Sequence, residues 1–194
     1  DRREPTFRHL EYEGYKATRH AMPEELAMQM PVLKEVLDAM NIPRYELAGF
    51  EADDLIGTIS RKCEKEGWDC VVATGDKDSL QLVTEHTTVK LISTRMGQTT
   101  TKDMTPEAFF ESYGFAPAHI VDLKALMGDA SDNIPGVPGV GEKTATALIQ
   151  KYRSIDKIYR LLPDIEAKPN VIKKLTEGEE SARKSFYLAT IITD

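Results

Sequence analysis

What this sequence has little of narrows the field first. There is one tryptophan, there are two cysteines, and aromatic residues make up only 7% of the chain. Two cysteines with no histidine beside them do not make a zinc cage. Cys63 and Cys70, placed in an expected helix and the following strand, read as buried free thiols of a reducing cytosol, with a structural disulfide as the alternative. No apolar run approaches the roughly 18 residues that a membrane-crossing helix requires. No signal-peptide or lipidation pattern opens the chain. There is no repeat, no low-complexity tract, and no Ser-His-Asp or Cys-His arrangement for nucleophilic catalysis. His9, His20, His86 and His119 are scattered and carry no assigned role. Positive charge is also in deficit: 25 lysines and arginines face 32 aspartates and glutamates, for a net charge of −7. Taken as an average, that balance speaks against nucleic acid as a partner.

What is present has a clear order. After an irregular basic stretch over 1–22, Pro23 is placed as a first-turn proline, and Leu26, Met30, Leu33, Leu37 and Met40 form a helical stripe. Residues 45–50 (YELAGF) read as a short strand and 52–66 as a helix ended by Gly67. Residues 68–74 (WDCVVAT) have the continuous apolar character of a buried parallel strand, with Trp68 as core. A short helix over 78–83 and a strand over 88–93 follow. Alternation of this kind predicts a parallel α/β sheet. From Pro106 onward only helices are expected, over 106–113, 117–127, 142–152, 155–162, 168–176 and 179–192. The chain therefore divides near residues 95–105.

Acids cluster where these elements end. Glu51, Asp53 and Asp54 open a helix; Asp76 and Asp78 follow the C-terminal end of a strand, where open α/β sheets place their ligands; Asp129 and Asp132 lie at another helix end. Each cluster has a plain reading, as acids favoured by a helix dipole or as an N-cap. Three together are harder to assign to caps alone. Like charges gathered in one site need cations to compensate them. Donors that are all oxygen favour Mg²⁺ or Mn²⁺ over zinc, and two such ions would suit phosphodiester hydrolysis by water. The glycine-rich run 136–144 (GVPGVGEKT) is not a nucleotide-binding loop, because Glu142 interrupts the required spacing and no strand precedes it. It reads instead as two helices joined by a Gly-x-Gly turn. Gly139, Val140 and Gly141 would then offer backbone N–H groups to a DNA phosphate.

Four ordered blocks, PTFRHLEYEGYKATR, GFEADDLIGT, TGDKDSLQLV and LKALMGDASDNIPGVPGVGEKTA, together resemble the 5′-nuclease (flap endonuclease) family, over the whole length from Asp1. The resemblance implies a PIN-like parallel sheet in residues 1–105, with an arch segment at 1–22. It implies an all-helical part in 106–194, with a helix–hairpin–helix element around 134–150. The expected activity is structure-selective 5′→3′ exonuclease and 5′-flap endonuclease cleavage in replication and repair. Asp1, Glu51, Asp53, Asp54, Asp76, Asp78, Asp129 and Asp132 would hold two or more Mg²⁺ or Mn²⁺ ions. Lys16 and Arg19 would act catalytically on the scissile phosphate. Arg8, Tyr15, Gly139, Val140, Gly141 and Lys143 would contact DNA, with K⁺ at the hairpin as in relatives. Read without the resemblance, Lys16 and Arg19 also fit a solvated face, and Tyr15 also fits core packing.

The implied partner is DNA as a 5′ flap or a nicked or gapped duplex, with no membrane. A polymerase domain in the same parent chain is left open. The implied location is the bacterial cytoplasm, in association with the nucleoid. Setting aside the eight site carboxylates takes the net charge from −7 to +1, so the acidic total is compatible with a neutral face around a cation-filled cleft. One departure matters. Family members open with a strand carrying an Asp-Gly-Asn-type motif, and this sequence begins after it. The chain is therefore expected to be a fragment lacking that strand, for which a DNA-binding module without catalysis is the alternative. A ribonuclease of the related PIN type would lack the helical half.

Overall fold

The computed structural model describes Arg2 and residues 4–193. Asp1, read above as a metal ligand, lies outside the described residues. The chain opens with a short helix α1 (Phe7–Glu11) and a long helix α2 (Glu24–Ala39), then α3 (Ala52–Lys65). The sheet follows in the order β1 (Cys70–Thr74), β2 (Thr87–Arg95), β3 (Gln98–Met104). β1 and β2 are parallel, in the register Cys70 opposite Thr87 to Thr74 opposite Leu91. A 3₁₀ turn, Lys77–Leu82, lies between them.

β3 runs antiparallel to β2, so the sheet is mixed rather than purely parallel. The reason lies in the turn. Met96 and Gly97 both have positive φ, 50° and 77°, the geometry of the tight two-residue hairpin whose twist suits flanking strands. The threonine-rich run after it has no apolar alternation, which hid the strand from the sequence. Two further expectations are corrected. Residues 45–50 form no strand. β1 is also not buried on both faces: as an edge strand it buries Val72 but leaves Val71 and Trp68 exposed at 62% and 67%.

The helical half matches its sequence signals closely. In α4 (Pro106–Tyr113), Thr105 accepts the Ala108 N–H at 3.3 Å, Pro106 takes the first turn, and Gly114 ends the helix at φ 75°. α5 (Ile120–Met127), α6 (Glu142–Tyr152), α7 (Ile155–Leu161), α8 (Pro169–Glu177) and α9 (Glu179–Ala189) follow. α9 ends three residues before the periodicity suggested, and residues 190–193 run on as an extended strap. One apolar core spans both halves, from Val72, Leu80 and Val89 through Phe109, Phe115 and Leu126 to Ile149, Ile158 and Leu188. Cys63 and Cys70 are free thiols.

Candidate active site

The first acidic cluster is built by the start of α3. Glu51 is the N-cap and Asp54 reaches back to accept the Glu51 N–H at 3.0 Å, a reciprocal cap made with acids. Beneath it lies Arg8 of α1, only 2% exposed. Its guanidinium donates to both Asp54 oxygens, each at 2.8 Å, and to the carbonyls of Leu188 at 2.9 Å and Thr190 at 2.6 Å. Asp54 also accepts the Ile192 N–H at 2.9 Å. Burial pushes the Asp54 carboxyl up, but Arg8 and these N–H donors outweigh it and hold it below its ordinary value. Two readings are corrected here. Arg8 is not a surface contact for DNA, because its charge is spent inside the fold. Asp54, saturated by an arginine and two backbone donors, does not fit as a metal ligand.

Tyr15, Lys16 and Arg19 tie the first cluster to the third. Lys16 bonds Glu51 Oε1 at 2.6 Å and lies 3.7 Å from Asp132 Oδ2. Arg19 pairs with Asp132. The Tyr15 hydroxyl donates to Glu51 at 3.1 Å and to Asp132 at 3.3 Å. Burial, then the charges of Glu51 and Asp132, push its phenol pKa upward. Tyr15 is 3% exposed, so its reading as a DNA contact is corrected: it is a packed strut. Lys16 and Arg19 lie against the first and third acidic clusters.

The second cluster joins the third through a residue the sequence reading missed. Lys124 of α5 bridges Asp78 and Asp129, the latter at 2.7 Å. Burial lowers its pKa, but the two carboxylates outweigh that and raise it, keeping the ammonium charged. On Asp129 burial acts upward, yet bonds from Lys124 and Ser131 prevail and hold the carboxyl at about 2. A signal was there to be read: Lys124 and Asp122 are the two charges in the otherwise apolar run of α5, where a buried charge needs a partner.

These side chains line a cleft of about 600 Å³ that includes Asp76, Asp78, Lys124, Asp129, Ser131 and Glu142. Asp53 borders the same acidic region and differs from the others. Burial first, then the charges of Asp76, Asp78 and Glu51, push its carboxyl up to about 6, with Lys16 only partly opposing them. Among the described residues no three acidic, histidine or cysteine side chains converge on one point as a ready metal cage. Lysine and arginine side chains sit between the carboxylate pairs instead. Asp53, Asp76 and Asp78 offer donors that are all oxygen, and the charges of Asp76 and Asp78 add to burial in pushing Asp53 up, which is the donor chemistry that suits a divalent cation.

Beyond the cleft, the chain from α5 to α6 turns back sharply. Asp129 and Ile134 exchange backbone bonds at 2.9 and 2.8 Å. Gly136 and Gly139 take φ of 62° and 77°. Buried Val137 and Val140 pin this loop, and Val140 donates its N–H to the Val137 carbonyl at 3.0 Å. Val140 is thus an anchor rather than a phosphate contact, which corrects its assignment. Gly139, Gly141 and Lys143 are exposed around the start of α6.

Comparison with known proteins settles the lineage. A family model described as 5′-3′ exonuclease, N-terminal resolvase-like domain, matches residues 1–114. A second, 5′-3′ exonuclease, C-terminal SAM fold, matches residues 115–194. The chain belongs to the 5′-3′ exonuclease family. Within it, the chain is 48% identical over 189 residues to DNA polymerase I of Bacillus subtilis (strain 168), covering 97% of this chain and 21% of that protein. To the thermostable DNA polymerase I of Thermus thermophilus it is 39% identical over 194 residues, 100% of this chain and 22% of that protein. The chain thus spans about a fifth of the length of these relatives. Among solved structures, the T5 D15 protein co-crystallised with metal ions superposes with a TM-score of 0.77 at 24% identity, over 98% of this chain and 72% of that one. The catalytic core of Rad2 in complex with a DNA substrate gives 0.59 at 17% identity, over 98% and 64%. At these identities the likeness is one of fold. No helix among the described residues is long and apolar enough to cross a membrane.

Proposed function

We propose that this 5′-3′ exonuclease family member is a structure-selective nuclease that hydrolyses DNA phosphodiesters at 5′ flaps and at nicked or gapped duplex. The observation that carries this reading is the meeting of acids from three separate stretches of chain: Lys16 joins Glu51 to Asp132, which Arg19 also pairs, Lys124 joins Asp78 to Asp129 in a cleft that Asp76 also lines, and the charges of Asp76 and Asp78 reach Asp53. Asp53, Asp76 and Asp78 would hold Mg²⁺ or Mn²⁺, with Glu51, Asp129 and Asp132 as further carboxylates. The bound ions would supply a nucleophilic water at neutral pH and stabilise charge on the scissile phosphate. Lys16 and Arg19, already placed on the carboxylates, would neutralise phosphate charge as it enters. Lys124 bridges Asp78 and Asp129 and offsets part of their charge. Gly139, Gly141 and Lys143 would hold a phosphate of the duplex beyond the cut, without reading bases, and K⁺ would occupy that hairpin. A polymerase region in the parent protein, and a cytoplasmic, nucleoid-associated location, belong to the same reading.

The test is a 5′-labelled flap duplex, with cleavage followed in Mg²⁺ and in EDTA, and binding in Ca²⁺. Mg²⁺-dependent flap release supports the reading. Branch-selective binding without cleavage would leave a DNA-binding module, and the absence of both binding and cleavage would overturn the reading. In the full-length protein, Asp78→Asn is expected to abolish cleavage and spare flap binding.

A further inference from the structure

The acids of this region are carried by the start of α3, by the 3₁₀ turn Lys77–Leu82 with its N-cap Asp76, by the loop after α5, and by Glu142 at the start of α6. The first two touch directly, with Ser79 Oγ 3.4 Å from Asp53 Oδ1, and both are also tied to the end of α9 and the strap that follows it. Arg8 takes the carbonyls of Leu188 and Thr190, and Asp54 takes the Ile192 N–H. Ile191 packs so closely on α3 that a Cβ at Gly57 would lie 2.6 Å from its Cγ2. The strap is thereby locked to the start of α3. Its tie to the 3₁₀ turn is one side chain. Gln81 donates through Nε2 to the Ala189 carbonyl and to the Asp78 carbonyl, both at 3.0 Å, and accepts the Ile191 N–H at Oε1 at 2.8 Å. Both amide protons and the carbonyl oxygen are used. Flipping the amide would set an N–H against the Ile191 N–H, so the orientation is fixed by chemistry.

We propose that Gln81 is a positioning residue for the metal-binding carboxylates, holding the backbone of Asp78 at a set distance from the Asp53 end of α3 through residues 188–192, the end of α9 and the strap after it. Gln81 touches neither substrate nor ion. It acts through the Asp78 carbonyl, as groups behind a metal's ligands commonly do, and loss of such a group weakens metal affinity by roughly tenfold to a hundredfold. This inference rests on the nuclease reading only in taking Asp53, Asp76 and Asp78 as the metal-binding side.

The test is made on the 194-residue chain. Gln81→Met keeps the length and removes all three bonds, while Gln81→Glu keeps the acceptor for Ile191 and removes both donors. Mn²⁺ binding without DNA is titrated by electron paramagnetic resonance, and hydrogen exchange is followed at the Ile191 amide. Both variants are expected to bind Mn²⁺ about tenfold more weakly or worse. Ile191 exchange should speed up in Gln81→Met and much less in Gln81→Glu. DNA affinity in EDTA should not change.

A purely structural role would lower the melting temperature and leave the Mn²⁺ affinity of the folded protein intact, and that result overturns the proposal. So would loss of the fold in both variants, which would make Gln81 a stability residue alone. Absence of Mn²⁺ binding by the unsubstituted chain would instead remove the metal reading on which the proposal depends.

Discussion

Two buried polar residues show how differently a charge and a hydroxyl are tolerated inside this fold. Arg8 and Asp54 are both nearly inaccessible, at 2% each, and every strong donor or acceptor between them is used. Removing one partner leaves the other charge buried alone, which costs about 3–5 kcal/mol. Arg8→Met is therefore expected to lose that much in urea unfolding, and Arg8→Met with Asp54→Leu should recover most of it. A double variant no more stable than the single one would mean that Arg8 matters for its ties to Leu188 and Thr190 instead. Tyr159 presents the opposite case, since its buried hydroxyl has no partner among the described residues. Burial first, then Glu179, push its pKa up to about 12 from an ordinary 10, against Arg183. A raised pKa on an acid favours the neutral form in the fold. Its contribution is complete below pH 10 and is lost as pH rises from 10 through 12. Tyr159→Phe should gain about 1 kcal/mol at pH 7, and its advantage should widen above pH 10, as read from melts across that range.

At the level of elements, what was legible in the sequence is what local chemistry specifies. The helical half was readable because Thr105-Pro106, Gly114 and the apolar spacing of α6 each act within a few residues. β3 was not, since its pairing is set by the Met96-Gly97 turn rather than by its own threonines. The acidic clusters of the cleft were legible as clusters, but their cations were not, because Arg8 and Lys124 lie 46 positions from Asp54 and from Asp78 respectively. The hairpin separates fold from function most cleanly. Gly136 has φ 62°, and an added Cβ would collide with the backbone of Met127 and Gly128. Strain of that kind costs about 1–3 kcal/mol before the collision is counted. Gly136→Ala should accordingly lower the melting temperature sharply. Gly141, with open space around it, should accept valine without collision, at only the modest cost of a poorer N-cap for α6, and with a weaker grip on duplex DNA. Equal destabilisation by both substitutions would dissociate the hairpin from any ligand role.

For the whole molecule, the distribution of charge matters more than its sum. Within the net charge of −7 stands an acidic region where Lys16, Arg19 and Lys124 offset part of the acid, and where burial first, then Asp76, Asp78 and Glu51, hold Asp53 up to about 6. A folded state that gathers uncompensated carboxylates is weakened by their repulsion, while the unfolded chain disperses them. A divalent cation that binds the folded form alone should therefore stabilise the protein as a whole, by about 2.7 kcal/mol at one hundred times its dissociation constant. Mg²⁺ or Ca²⁺ is thus expected to raise the melting temperature in a concentration-dependent way, whereas matched ionic strength from NaCl should do far less. Asp53→Asn removes one of the repelling charges, so it should be at least as stable as the parent without metal and respond less to it. That pairing of a stable baseline with a blunted metal response is what separates a metal-binding carboxylate from a structural one. If Asp53→Asn were destabilised and responded to Mg²⁺ as the parent does, Asp53 would belong to the cap of α3 and the cation would have to be held elsewhere in the cleft.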